Sequence, residues 1–134
     1  MRERITRAKR LDNNEWVFGN LLYFTGNKEV AEDAYILKQT ELVLDWNMRN
    51  LFRVDPETIG DWTGVTDKNG VKIFEGDIVR AANRDGSDGY IIGEVKFRTG
   101  YYVDFGGYSE FAMDEHEYEV IGNCADNLQL LKEK

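Results

Sequence analysis

Four side chains near the middle of the chain carry the oxygen atoms that bind divalent cations. They are Asp67, Asn69, Glu75 and Asp77. A calcium-binding helix-loop-helix motif would place its required glycine at Gly70, with Val65 as the first ligand and Gly76 where a bidentate glutamate is needed. Neither residue supplies an oxygen side chain, so the sequence excludes that motif. It predicts a solvated hairpin turn here and no metal site.

The sequence also lacks the residues that other common kinds of catalytic site need. The chain has one cysteine, Cys124, and one histidine, His116, whereas a closed zinc site takes four ligands and a nucleophilic cysteine needs a base and a third, orienting group. The oxygen atoms of residues 83–88 match no metal-binding spacing, and no G-x-x-x-x-G-K-[ST] phosphate loop occurs. Nothing singles out a desolvated carboxylate pair among the 25 acidic residues. We expect a protein that is not an enzyme and takes no cofactor.

Five basic side chains lie within the first ten residues of a chain whose net charge is −8. They are Arg2, Arg4, Arg7, Lys9 and Arg10, with only Glu3 against them. Such asymmetry is typical of an arm that contacts an acidic surface such as nucleic acid, although the acidic remainder of the chain repels phosphate at long range. The alternative is a strand that presents alternate basic side chains to water.

Aromatic residues offer a second binding surface. Five of them crowd one segment: Tyr101, Tyr102, Phe105, Tyr108 and Phe111. Strand alternation places Tyr101 and Phe105 on one face and Tyr102 on the other. If the first face belongs to the core, Tyr102 and Tyr108 line a groove that binds a partner, and the alternative is plain packing.

The elements that would position these groups are short strands separated by turns. Strand-forming runs cover residues 16–24, 35–37, 41–44, 51–54, 62–65, 71–74, 78–81, 90–97, 101–105 and 119–122. A helix over 41–50 is an alternative, and residues 30–34 and 126–131 are typical of helical turns. Asp55 caps a further turn that starts at Pro56, and Asp67–Gly70 is a tight hairpin turn. The spacing predicts a small barrel or sandwich.

The chain has the composition of a protein from a reducing compartment. A single cysteine forms no internal disulfide, and no apolar run approaches the roughly 20 residues that span a bilayer. The basic start is not followed by the apolar stretch of a signal peptide. We expect a cytoplasmic protein with no membrane partner.

Several motifs follow one another in a specific order. They are Val54–Gly60, Trp62–Gly70, Lys72–Val79, Glu119–Asn123 and Asp126–Leu128, with Leu130 and Leu131 after them and Arg7–Arg10 and Trp16–Gly19 at the start. This series resembles the YopX family of small phage and prophage proteins over nearly the whole chain. Trp62, Val65 and Leu128 depart from the family pattern, where tyrosine, leucine and proline are usual.

The resemblance implies a mostly β fold and no stated activity. It implies one domain over 1–134, with an N-terminal β subdomain at 1–54 and an SH3-like β-barrel at 55–134, encoded by a phage or integrated element of a bacterial host. The motif residues are interpreted as fixing turns rather than performing reactions. They are Asp55, Pro56, Thr58, Gly60, Thr63, Gly64, Asp67, Gly70, Glu75, Gly76 and Asp77.

These observations predict a non-enzymatic module that binds an unidentified protein partner, or a second copy of itself, through barrel loops and the aromatic patch. The alternative is a nucleic-acid accessory protein that uses the basic N-terminal segment. A metal hydrolase built on Asp67, Glu75 and Asp77 is the least favoured hypothesis.

Overall fold

A computed structural model of the chain describes residues 5–24, 33–38, 51–111, 113 and 117–132. Within these ranges the chain is mostly β, as predicted, with eleven strands, one 3₁₀ turn and one short α-helix. It divides into two compact units, Met1–Asp61 and Trp62–Lys134. None of the helices in the described ranges is long and apolar enough to cross a membrane.

The first unit is an antiparallel sheet with the strand order β4-β3-β2-β1. The strands are β1 (Thr6–Lys9), β2 (Trp16–Phe24), β3 (Asp33–Lys38) and β4 (Leu51–Arg53). On its other side β1 pairs with the first two residues of β5 (Gly60–Thr66). Small and β-branched side chains form the core of this unit, which is made of Ala8, Val17, Ala34, Ile36 and Val54.

Strand β1 is buried along its whole length. Arg7 and Lys9 expose only 8% and 9% of their surface, so the prediction that alternate basic side chains face water is wrong for these two residues. The reason lies in the strand order, because β1 has a hydrogen-bonded strand on each side and large rings on its partner β2. The side chains of Arg7 and Lys9 therefore lie along Trp16 rather than in solvent.

A 3₁₀ turn at Pro56–Thr58 precedes β5 and confirms the predicted cap. The Asp55 side chain accepts the Glu57 N–H at 3.1 Å, and Pro56 occupies the first turn, where its missing N–H costs little. Thr58 Oγ1 donates to the Asp55 carbonyl oxygen and accepts the Lys9 N–H at 2.8 Å. This hydroxyl therefore fixes the turn against β1.

The second unit contains a five-stranded antiparallel sheet with the order β10-β9-β8-β7-β11. The strands are β7 (Asp77–Ala82), β8 (Tyr90–Phe97), β9 (Tyr101–Asp104), β10 (Ser109–Glu110) and β11 (Glu119–Asn123). Strand β6 (Lys72–Phe74) pairs with the later part of β5, and α1 (Gln129–Lys132) packs against β8. In the described part of the unit no ladder joins β10 to β11, so the sheet is open and the SH3-like barrel stays a prediction.

One face of this sheet supplies the core of the second unit. Its fully buried side chains include Val79, Val95, Val103 and Tyr118. Strand β9 approaches β8 so closely that a Cβ at Gly93 would lie 2.7 Å from Val103 Cγ1 and 2.8 Å from the Asp104 carbonyl oxygen. A glycine is required at this crossing for steric reasons.

The predicted strands at 16–24, 35–37, 51–54, 62–65, 78–81, 90–97, 101–105 and 119–122 coincide with observed strands to within a few residues. The predictions for 41–50 lie outside the described residues. So do residues 30–32 of the predicted turn at 30–34, whereas Asp33 and Ala34 begin β3. The predicted boundary between 54 and 55 stays a prediction.

Candidate functional site

Asp67 is a buried acceptor at the centre of the hairpin turn between β5 and β6. Its Oδ1 accepts the N–H groups of Asn69 at 2.8 Å and Val71 at 2.9 Å, and its Oδ2 accepts the N–H of Val120 at 3.0 Å. Burial opposes ionisation of this carboxyl, but the three N–H donors outweigh it and hold its pKa below the ordinary value. The carboxylate thus ties the turn to β11 and has its acceptor sites directed at backbone.

Asp77 plays a similar part at the turn between β6 and β7. It exposes 1% of its surface, and its Oδ2 accepts the Phe74 N–H at 2.7 Å. Gly76 has a φ of +90°, a conformation that strains any residue with a Cβ. Glu75 lies half-buried beside it in the same turn. Among the described side chains, no three carboxylates, thiols or imidazoles converge as a metal-binding group.

The remaining motif residues lie in or beside β5. Thr63 is buried, and its Oγ1 donates to the Ile73 carbonyl oxygen at 2.8 Å. Gly60 stands opposite Arg7 in the ladder, and Gly64 follows Thr63 in the strand. Gly70 closes the hairpin turn with its N–H donating to the Asp67 carbonyl oxygen at 3.0 Å. The hydrogen bonds of Thr63 and Gly70 are therefore made to backbone carbonyl oxygens of the same hairpin.

The single thiol lies in an environment that disfavours its thiolate form. Burial, followed by the nearby Glu94 carboxylate, raises the pKa of Cys124 to about 12. The thiol is therefore protonated at neutral pH, whereas a nucleophilic cysteine must be a thiolate. His116 lies outside the described residues.

Three of the five predicted basic residues are described, and each lies against an aromatic ring of the first unit. The guanidinium carbon of Arg7 and the Nζ of Lys9 lie 4.6 Å and 5.5 Å from the centroid of the Trp16 ring. Arg10 lies 4.0 Å from the Phe52 centroid, and its Nε and Nη2 bind the two Asp12 oxygens at 2.9 Å and 2.6 Å. Arg2 and Arg4 lie outside the described residues.

A cleft of about 270 Å³ opens next to Arg10 in the same unit. Its walls include Glu15, Val17, Lys38 and Phe52. Sequence reasoning missed Glu15 and Lys38, since nothing in their local pattern places them beside Arg10. The cleft mixes one acidic and two basic groups around an apolar floor, which selects no single class of ligand.

Tyr102 and Tyr108, predicted to line one groove, belong to two different aromatic pairs. Tyr102 stacks on Phe111 with ring centroids 5.0 Å apart and planes inclined by 28°. Tyr108 instead contacts Phe105, a core residue, at 5.2 Å. Phe111 exposes 62% of its surface and Tyr108 46%.

The strand register defines the surface around Tyr102. Tyr102 stands opposite Lys96, and Asp104 stands opposite Glu94, with Val103 and Val95 between them pointing into the core. Because successive side chains of a strand alternate, all four polar and aromatic residues lie on the other side of the sheet from the core. We call this side, formed by Glu94, Lys96, Tyr102, Asp104 and Phe111, the outer face.

The outer face carries one ion pair among its charged residues. Lys96 Nζ donates to Asp104 Oδ2 at 2.9 Å, and this hydrogen bond raises the pKa of Lys96. Glu94 stands directly opposite Asp104 in the ladder. Two like charges in that relation repel each other.

A polar cluster beneath the edge strand β10 holds the segment that carries Phe111. The Nε and Nη2 atoms of Arg84 each donate to Glu110 at 2.8 Å, and the hydroxyl of the fully buried Tyr118 donates to the same carboxylate. Arg84 also reaches Glu117 at 3.2 Å. These donors keep the pKa of Glu110 low, whereas burial raises the pKa of Tyr118. Sequence reasoning missed this cluster, because its members are separated by loops.

Comparisons with known proteins agree with this architecture. The crystal structure of protein EF1440 from Enterococcus faecalis is similar over 98% of this chain and 99% of that chain, with a TM-score of 0.57 and 21% sequence identity. At that identity the similarity shows a shared fold. The comparison with curated proteins gives no match. The family model for the YopX protein matches residues 6–132, and the chain therefore belongs to the YopX family.

Proposed function

We propose that this chain is a non-enzymatic protein-interaction module, encoded by a phage or prophage of a bacterium, that binds a protein through its outer face. The observation that carries the proposal is the stack of Phe111, which leaves 62% of its surface in water, on the half-buried Tyr102. Large aromatic side chains of this kind are the common anchors of protein interfaces.

The support for a non-enzymatic role comes from the groups that would otherwise react. Asp67 and Asp77 expose only 4% and 1% of their surface and accept backbone N–H groups, so neither carboxylate is open to a substrate. The Cys124 thiol is protonated, because burial and Glu94 raise its pKa to about 12. The two carboxylates hold turns of the fold, and the thiol stays protonated.

The contacts that hold Glu110, next to Phe111, also favour recognition. Phe111 follows directly after β10, whose Glu110 is held by Arg84 and by the buried hydroxyl of Tyr118. A side chain fixed before binding loses less entropy when the partner arrives. The nucleic-acid alternative has less support, because Arg7 and Lys9 are buried along Trp16.

The proposal is tested by placing a photo-crosslinking amino acid at position 111 in the full chain and, as a control, at position 97. Phe97 is also an exposed aromatic residue, with 53% of its surface in water, and it contacts Tyr101 instead of the outer face. We expect a protein that is crosslinked from position 111 and is not crosslinked from position 97. That protein, once identified and purified, should bind the Phe111→Ala variant roughly tenfold more weakly or worse, as for an interface anchor.

Identical crosslinking from the two positions, or a purified partner whose affinity ignores Phe111→Ala, contradicts the proposal. Sedimentation of the wild-type chain separates the two kinds of partner. If the chain itself forms a dimer that Phe111→Ala dissociates, the bound protein is a second copy.

A further inference from the structure

The second unit, which carries the outer face, is acidic in sequence, and its Glu110 and Glu119 pair with Arg84 and Arg80 of the same unit. The second unit contains eight Lys and Arg residues and 14 Asp and Glu residues. Between residues 99 and 131, the stretch that carries both Tyr102 and Phe111, there are seven acidic residues and no Lys or Arg. A surface of this sign attracts a cationic partner and repels an anionic one.

The outer face has a local excess of negative charge as well. Glu94 and Asp104 stand opposite each other in the β8–β9 ladder, and Lys96 forms its ion pair with Asp104. Directly opposed like charges destabilise a sheet. Lys96 offsets one of the two carboxylates, so these three side chains keep a net charge of −1, which attracts a cation of a partner.

The chain already uses cations to cover its own rings. A Lys or Arg of this chain lies over each of five rings: Trp16, Phe52, Trp62, Tyr90 and Tyr118. Among the residues that the structure describes, no such cation lies over the stacked rings of Tyr102 and Phe111. This pair therefore presents an uncovered aromatic surface next to carboxylates, since Lys96, which stands opposite Tyr102, is paired with Asp104.

From these three observations we infer that the outer face binds a basic protein segment and that an arginine of that segment lies against the Tyr102–Phe111 pair. Arginine fits better than lysine because its planar guanidinium stacks on a ring while its N–H groups reach the neighbouring carboxylates. The inference rests on the proposed function and adds the chemistry of the partner.

The test uses the full chain and three synthetic peptides of equal length, labelled with a fluorophore. One peptide is rich in arginine, the second has citrulline at every arginine, and the third has glutamate. Citrulline keeps the planar shape and removes the charge. We expect the arginine peptide to bind, and the citrulline and glutamate peptides to bind at least roughly tenfold more weakly, since both cation–π and ionic contacts are lost.

Variants localise the binding. Phe111→Ala should weaken the affinity for the arginine peptide roughly tenfold, and Glu94→Gln should weaken it about threefold. Phe97→Ala should leave this affinity unchanged. The peptide affinity should fall as salt rises, because exposed charges are screened. Circular dichroism of each variant verifies that the fold is intact.

Equal binding of the arginine and citrulline peptides overturns the inference, as does an affinity that Phe111→Ala does not change. Binding of a single-stranded oligonucleotide that depends on Phe111 overturns it too, since the occupant would then be a nucleic acid. If the arginine peptide fails while crosslinking from position 111 still identifies a partner, the basic chemistry is refuted and the interaction module stands. Failure of both experiments refutes both.

Discussion

Replacing Asp67 by asparagine removes a buried charge and keeps almost the same shape. In the native chain the Oδ1 atom of Asp67 accepts two N–H groups, from Asn69 and Val71, and Oδ2 accepts the Val120 N–H. An asparagine keeps one oxygen, which will face the two turn donors. Its amide nitrogen then faces the Val120 N–H, so one donor opposes another.

The magnitude follows from the bonds that change. A hydrogen bond to a charged group contributes about 1.5–3 kcal/mol, and a buried donor left without an acceptor costs about 1–3 kcal/mol. Asp67→Asn loses one charge-assisted bond at Val120 and weakens two others. We therefore expect the free energy of unfolding to fall by about 2–3 kcal/mol, and by about 3–5 kcal/mol for Asp67→Ala, where all three donors lose their acceptor.

The same carboxylate makes the effect depend on pH. Its folded pKa lies below the ordinary value of 3.8, so the unfolded chain takes up a proton first as the pH falls. The stability that the charge supplies is complete above 3.8 and is lost as the pH falls through the lower folded pKa. The difference between the wild type and Asp67→Asn should therefore be full at neutral pH and shrink in acid below that value.

Urea unfolding followed by circular dichroism measures this difference, at neutral pH and again in acid. Asp88→Asn is the matched control, since it makes the same change of charge at an exposed loop position. We expect the free energy of unfolding of Asp88→Asn to lie within about 0.5 kcal/mol of the wild-type value. If Asp67→Asn unfolds at the same urea concentration as Asp88→Asn, the carboxylate does not hold the turn to β11 and the reasoning is refuted.

Three further predictions concern other buried groups. Gly93→Ala should lower the free energy of unfolding by about 1–3 kcal/mol, because its Cβ has no room beside β9, whereas Gly107→Ala, with nothing within 4 Å, should not; equal urea midpoints would contradict the close approach. Tyr118→Phe should cost about 1–2 kcal/mol by leaving Glu110 one donor short, and an unchanged melting temperature would show that this hydrogen bond contributes nothing. Cys124, whose pKa is raised to about 12, should resist iodoacetamide at pH 8 in the native chain and react in urea, and mass spectrometry that finds rapid native labelling would disprove the protonated thiol.

The turns of this fold were predictable because their chemistry is local. Asp55 caps a turn that starts at the next residue, and Asp67 accepts donors two and four residues ahead. A carboxylate followed by proline or by Asn-Gly specifies such geometry within a few positions. Sequence reasoning therefore placed both turns correctly.

The burial of β1 was not predictable in the same way. Alternation of residue types describes a strand with one wet face, but Arg7 stands opposite both Phe18 of β2 and Gly60 of β5. The β5 pairing joins residues more than fifty positions apart. No pattern within the basic segment encodes that partner, so the prediction of exposed side chains on β1 was wrong.

The candidate site depended on register as well. Strand alternation alone separated Tyr102 from the core side, which agrees with the paired Val103 and Val95. Strand alternation did not identify Phe111 as the ring that stacks on Tyr102. That contact depends on the register of β10, in which Glu110 pairs with Val103 and the next residue, Phe111, lies beside Tyr102. Tyr108, the predicted companion, contacts Phe105 instead.

The hydrogen bond from Val120 to Asp67 also bears on how the chain acquires its structure during synthesis. It spans 53 positions, and β11, which carries Val120, follows β10 in the chain and pairs with β7. In a nascent chain that has left the ribosome only as far as β10, the Asp67 carboxylate lacks the Val120 donor. The edge of β7 also lacks its neighbour β11. Contacts of such separation form late and slow the folding of β proteins. The second unit therefore stays incomplete until β11 has been synthesised, and until then the β7 edge has no neighbour and is exposed to misassembly.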